Sequence, residues 1–206
     1  AEYNGTFAEV STKAKRSGGF VMTGHTTKAI AAQGTKTDVA VTLERTVAKI
    51  AVQASTTAEF SERYSGKVRI NSVVLSKAAS RSNLIAQQTP NTGPMTFTHT
   101  QAADELSGKF RNLFYVPENG ELAEGSRLLL TLGATYDRDG NFSTTDDQAD
   151  VTYPVELSGD GAGRFLRNGY YRVQALIDGL TGSELSVSIS VADWETPVTQ
   201  SVNLGQ

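Results

Sequence analysis
The sequence predicts an all-β protein, an antiparallel β-sandwich, on three observations. Short segments with period-two apolar alternation recur along the chain at roughly ten-residue spacing, about eight to ten strands in all. Clusters of Gly, Pro, Asn, Asp and Ser separate them. No helical period is long enough to support a parallel α/β sheet.

The clearest segment is DVAVTLERTVAKIAVQA, from Asp38 to Ala54. Val39, Val41 and Leu43 alternate with Ala40, Thr42 and Glu44, as in a strand with one buried face. Beyond Arg45 the apolar set resumes at Ala48, Ile50 and Val52, on the other parity. A slip of one residue turns every side chain over, so Glu44-Arg45-Thr46 is expected to be a bulge, corner or short turn. Arg45 at that corner reads as a solvated or ion-paired residue.

Before this segment, residues 1–19 are small and polar, ending in Ser17-Gly18-Gly19, and read as an extended arm or linker. Residues 20–206 form the sandwich domain. Phe20-Val21-Met22 is a first short strand, closed by Thr23-Gly24. Thr26 to Lys36 reads as a loop with one weak strand at Ala29-Ile30-Ala31. After the central segment, Thr57 to Tyr64 suits a helical turn, with Phe60 and Tyr64 at i, i+4. Lys67 to Ser76 alternates through Val68, Ile70, Val73 and Leu75, with a parity change near Asn71-Ser72. Lys77 to Gly108 has too few apolar residues for a core and reads as surface loop with small pieces of structure.

Phe110 to Asn119 returns to strand character until Pro117, which has no N–H for the ladder. Arg127 to Tyr136 is a strand with Leu128, Leu130 and Leu132 on one face, and Leu129 on the other implies near-complete burial there. Asp137 to Asp150 is an acidic loop. Val151 to Leu157 is a strand whose Pro154 argues for an edge position. Ser158 to Gly163 is a glycine-rich turn. Tyr171 to Ile177 pairs with Glu184 to Ala192 as a hairpin, closed by Trp194, and Val198 to Leu204 can form a last strand.

Composition excludes several functions. The 206 residues include no Cys and only two His, which removes disulfide frameworks and thiolate or His-rich metal sites. A net charge of −3 without a basic run argues against a nucleic-acid partner. No apolar run reaches the roughly 18 residues of a membrane span. The absence of a signal peptide before Ala1 is expected of a cytosolic or a mature exported chain. Asp137-Arg138-Asp139-Gly140-Asn141, followed by Asp146-Asp147, resembles a calcium loop only loosely, with Gly140 at position four and Gln148 at twelve where the pattern wants Gly at six and a bidentate Glu at twelve, so a bare acidic loop is the preferred reading. Neither His25 nor His99 lies near a nucleophile signature, and no catalytic residue, cofactor site or metal site is assigned. Glu118 and Glu121 read as solvated carboxylates after a turn. Tyr115, Tyr136, Tyr170, Tyr171 and Trp194 read as packing residues ahead of a sugar-stacking platform.

Six pieces in order resemble the fimbrillin family of pilus subunits from Bacteroides-type bacteria: FVMTG (20–24), LERTVAKIAV (43–52), FYVPEN (114–119), YPVEL (153–157), RNGYYRVQALIDG (167–179) and VADW (191–194). The resemblance covers about Phe20 to Trp194 and matches the family's C-terminal sandwich. It implies a transthyretin-like, Greek-key fold and a structural subunit of a cell-surface fimbria of a Gram-negative bacterium, outside the cell or attached to the outer membrane. Partners would be other pilus subunits, joined by strand exchange after surface proteolysis of a lipoprotein precursor. Residues 1–19 are too short to be the family's N-terminal domain, so a fragment or a single-domain variant is expected. The segment expected to pass between subunits carries Val198, Gln200, Val202 and Leu204. The alternative is an adhesin that binds a host glycan or protein through loops 77–108 and 137–150.

Overall fold
The computed structural model describes residues 2–3, 20–90, 92–106, 109–193 and 198–202. The strands are β1 (Glu2–Tyr3), β2 (Met22–Thr23), β3 (Val39–Arg45), β4 (Val47–Thr56), β5 (Lys67–Ala78), β6 (Ser82–Asn83) and β7 (Phe97–Ala102). They continue as β8 (Glu105–Leu106), β9 (Lys109–Pro117), β10 (Leu129–Asp137), β11 (Gln148–Glu156), β12 (Gly169–Ile177), β13 (Leu185–Asp193) and β14 (Val198–Val202). One helix, α1 (Ala58–Arg63), follows β4; the Thr57 hydroxyl caps it by accepting from the Phe60 N–H at 3.2 Å.

Two sheets make the sandwich. One has the order β11-β10-β5-β7, the other β13-β12-β4-β9-β8. Their facing residues form one core: Ile50, Phe114, Tyr171 and Val173 from the five-stranded sheet meet Leu75, Leu130, Leu132 and Tyr153 from the four-stranded one. Removing so many branched and aromatic side chains from water is the main force holding the layers together, about 1.5–3 kcal/mol for each fully buried one. Among the described ladders all are antiparallel except β4 with β12, which run parallel.

The predicted corner is where expected: β3 ends at Arg45, Thr46 is buried at the bend, and β4 starts at Val47. The parity change in β5 is a bulge. Ser72 pairs with Gly133 and Ile70 with Ala134, leaving Asn71 as the extra residue. A Cβ at Gly133 would stand 2.5 Å from the Ser72 hydroxyl, so the bulge and the glycine go together. Pro154 lies on β11, an edge strand, as its missing N–H requires. The hairpin forms as expected, and its register sets Val173 opposite Ile189 and Ala175 opposite Val187.

Four expectations need correction. Ala29–Ala31 is not a strand; Ile30 is 84% exposed, and the Ala31 N–H instead bonds the Thr37 hydroxyl within the loop. Residues 77–108 are loop with pieces of structure, but they do reach the core: Ala78 is buried in it, and one piece, β7, is a strand of the sandwich that pairs with β5. Its sequence FTHTQA half-buries Phe97, His99 and Gln101, too polar a set to register as apolar alternation. Leu129 is half-buried rather than enclosed, since nothing packs fully over that face. Glu118 is not a solvated carboxylate; it is buried. The expectations for residues 4–19, Trp194 and Leu204 lie outside the described residues.

Candidate functional site
β3, past the corner from β4, carries a third sheet of its own, ordered β14-β3-β2. Met22 and Thr23 pair with Arg45 and Glu44 on one edge of β3. On the other edge β14 runs antiparallel, with Val198 opposite Leu43, Gln200 opposite Val41 and Val202 opposite Val39. Three of the four residues of the expected exchange segment are therefore in a strand on their own chain's β3, and Leu204 is outside the described residues. Val39, Val41 and Leu43 are only half-buried.

The corner is tied down from several sides. The Thr46 N–H donates to the Val21 carbonyl at 3.1 Å, and Arg45 Nη1 donates to Asn168 Oδ1 at 3.1 Å. The Thr23 hydroxyl donates to the Leu84 carbonyl. Behind it stands a buried ion pair that sequence reasoning missed. Arg167 Nε donates to Glu118 Oε1 at 2.9 Å, and its Nη2 also pairs with that oxygen. The same guanidinium donates to Ser82 Oγ at 3.2 Å and, through Nη1, to the Leu84 carbonyl at 3.1 Å. With 4% and 5% of their side chains exposed, the two charges rely on each other and on these acceptors. They fasten β6 to the sandwich, and β6 in turn pairs with β1. No signal in the sequence links Glu118 to a residue 49 positions away.

The acidic loop brings Asp137, Asp139 and Asp147 within 4.8 Å of one another. Most of their oxygens close the loop itself. Asp137 accepts from the Asn141 N–H at 2.8 Å and from Gln148 Nε2 at 2.9 Å, and Asp147 Oδ2 accepts from the Asp139 N–H at 3.0 Å. Burial would push the Asp137 carboxyl up, yet donation from Gln148, Asp139, Asn141 and Gly140 holds it below the ordinary carboxylate range. Asp139 receives the Asn141 N–H, which lowers it, but sharing a proton with Asp137 and the nearby Asp147 charge push it up.

Among the described residues, the candidate aromatics Tyr115, Tyr136, Tyr170 and Tyr171 do not form one platform. Tyr115 is buried against Phe20, ring centroids 4.7 Å apart. Tyr136 packs on Phe60 and Tyr64 at 6.2 and 5.9 Å. Tyr171 is in the core, and its hydroxyl accepts from the Leu166 N–H at 2.7 Å. Tyr170 stands on the outer face of the five-stranded sheet with Lys49 Nζ 4.2 Å over its ring. Trp194 is outside the described residues. His99, on β7, lies parallel to the Phe97 ring and edge-to-face with Phe114, in a packing role.

No family model matches the chain, and no curated protein matches it. Solved structures do. The chain is similar to a candidate cell adhesion protein of Parabacteroides distasonis ATCC 8503, with TM-score 0.54 and 16% identity, over 74% of this chain and 53% of that one. It is similar to another from Bacteroides eggerthii DSM 20697, with TM-score 0.50 and 16% identity, over 75% of this chain and 57% of that one. A fimbrilin of Porphyromonas gingivalis W83 aligns at TM-score 0.46 and 17% identity, over 74% of this chain and 59% of that one. The chain thus spans about half the length of the structures it matches. The class is one of fold: an all-β sandwich similar to that of these two adhesion-protein structures.

Proposed function
We propose that the protein is a structural subunit of a cell-surface fimbria, acting by assembly and supporting adhesion. In this reading residues 20–206 are the C-terminal, transthyretin-like sandwich of a pilus subunit, and residues 1–19 are the arm leading into it. The subunit works outside the cell, on the surface of a Gram-negative bacterium, and its partners are other subunits.

The observation that carries the assembly step is β14. Among the described strands it pairs only with β3, and β3 itself lies outside both layers of the sandwich. A strand held along one edge can be replaced by an equivalent strand from a neighbour, because the backbone hydrogen bonds are the same in either case. Val198, Gln200, Val202 and Leu204 would then set the register of the exchanged strand.

A chain ending at Trp194 tests this. It is expected to melt cooperatively within a few degrees of the full chain and to fail to join filaments in cells that otherwise build them. An unfolded truncated chain would place β14 in its own domain's core. A folded one that still polymerises would move the exchanged strand elsewhere, with residues 1–19 the next candidate.

A further inference from the structure
The outer face of the five-stranded sheet is unlike the rest of a chain whose net charge is −3. Strand register and period-two alternation put Lys49, Arg111, Tyr170 and Arg172 on it. Gln53, Gln174, Ser188 and Ser190 share this face. None of the outward positions of β4, β9, β12 and β13 from residue 49 to 55, 111 to 117, 170 to 176 and 186 to 192 is Asp or Glu.

All of these except Lys49 line a groove of about 530 Å³, within the roughly 300–1,000 Å³ of small-ligand sites. Its floor is low because Ala51 and the serines are short. Arg172 pairs in register with Ala51, and Arg111 with Gln53. The two arginines therefore flank the floor from strands two apart, about 10 Å across. Both are exposed, and neither guanidinium is in an ion pair among the described residues. The Tyr170 ring holds two cations by its face, Lys49 at 4.2 Å and Arg172 at 5.1 Å, so the positive charge is positioned rather than free to swing.

We propose that this groove binds an acidic saccharide, with Arg111 and Arg172 clasping its carboxylate and the Gln and Ser side chains meeting its hydroxyls. Forked guanidinium donors suit a planar carboxylate, and amides and hydroxyls can both donate to and accept from a polyol. A peptide is the poorer occupant, because a sheet face offers no backbone edge for strand addition. Single-stranded nucleic acid is poorer too, because it needs open aromatic faces and Tyr170 already carries cations. The inference supplies a ligand class for the adhesive side of the function proposed above and rests on that reading only for exposure at the cell surface. A subunit that polymerises without binding sugar would refute the site alone, and one that binds sugar without polymerising would refute the assembly reading alone.

The test uses the full chain in titration calorimetry with hyaluronan tetrasaccharide, sialyllactose and an oligogalacturonate. Neutral chitotetraose, hexaglutamate and an oligo-dT serve as competitors of other classes. At least one acidic sugar is expected to bind, more weakly at high salt, and chitotetraose is not. Arg111→Ala and Arg172→Ala should each weaken binding about tenfold or more. Ala51→Leu should block the floor at unchanged charge, while Lys67→Ala on the other sheet should change nothing. Far-UV circular dichroism and melting of each variant separate loss of binding from loss of fold. Failure of all three acidic sugars to bind at millimolar concentration overturns the proposal. So does binding that survives loss of both arginines, or equal or tighter binding of hexaglutamate or oligo-dT.

Discussion

β3 and β4 are two halves of one stretch of chain, with the same alternation and opposite surroundings. Along β4, Ile50 and Ala48 are fully enclosed and Val52 nearly so. Along β3, Val39, Val41 and Leu43 never pass beyond half-buried. The side chains are of similar size, so the difference lies in what faces them. β4 sits mid-sheet between β12 and β9, with the four-stranded sheet across from it. β3 has left that layer at Thr46 and has only β14 and β2 as strand neighbours. Alternation identifies a strand with one apolar face; the depth of burial comes from whether a second layer closes over it. The assembly proposed above rests on the same division, with the enclosed layers as the permanent interior and the β3 sheet as the place for exchange.

The sharpest way to break this comparison is to cut the same kind of side chain from both halves. Phe114→Ala removes a fully enclosed ring opposite Ile50 and should cost about 3–5 kcal/mol. Leu43→Ala on β3 should cost well under half of that, about 1 kcal/mol, because a half-buried side chain gives up less surface and leaves an open notch rather than a cavity. Urea unfolding of both variants checks it. Equal losses would mean that β3 is as enclosed in solution as β4.

The ion pair under the corner is expected to have the next largest effect. Glu118→Gln leaves the Arg167 guanidinium buried beside neutral acceptors, a loss of about 3 kcal/mol. Hydrogen exchange should quicken at Ser82 and Asn83, which the guanidinium holds, and not in the middle of β10. A variant with unchanged stability would show that Ser82 and the carbonyls of residues 83 and 84 suffice for that charge.

Much of this fold was legible in the sequence because local rules decide it. The corner at Thr46, the bulge at Asn71, the edge position marked by Pro154 and the pairing of β12 with β13 all follow from parity, from a missing N–H or from a turn between alternating segments. Contacts made at long range were not legible. The parallel pairing of β4 with β12 joins Lys49 to Tyr170, and the Glu118–Arg167 pair spans a similar kind of gap. β7 was hidden because its half-buried face is Phe97, His99 and Gln101, with a single apolar member. The groove around Arg172 was invisible for the same reason as the ion pair: its members come from four strands brought side by side by the fold alone. The segment proposed for exchange was the reverse case. Val198 to Val202 read as a strand from its own alternation, whereas its neighbour along β3 is known only from the fold.

The smallest expected effect concerns how the interior is closed at its far end, and it separates the two sheets by pH. Tyr153 is fully enclosed on β11, and its hydroxyl donates to the Gly179 carbonyl at 2.7 Å, in the turn between β12 and β13. Burial pushes its pKa up to about 12, with the charges of Glu184 and Tyr64 adding to the shift. An unfolded chain gives up this proton near the ordinary tyrosine value of about 10. Between those two values the folded state holds a proton that the unfolded state has lost, so unfolding becomes easier as pH rises through this window. Below it both states are protonated and the group has no pH effect. Tyr153→Phe removes the hydrogen bond, a loss of about 1 kcal/mol at neutral pH, and also removes this part of the alkaline decline. The gap in melting temperature between wild type and variant should therefore narrow once the pH passes about 10 and reverse before about pH 12, because about two pKa units outweigh one hydrogen bond. β3 and β14 contain no tyrosine, so exchange at their amides should follow the alkaline fall only through global unfolding. A gap that stays constant with pH would mean that the Tyr153 hydroxyl reaches water, and that the sandwich is open at the end where it joins the hairpin turn.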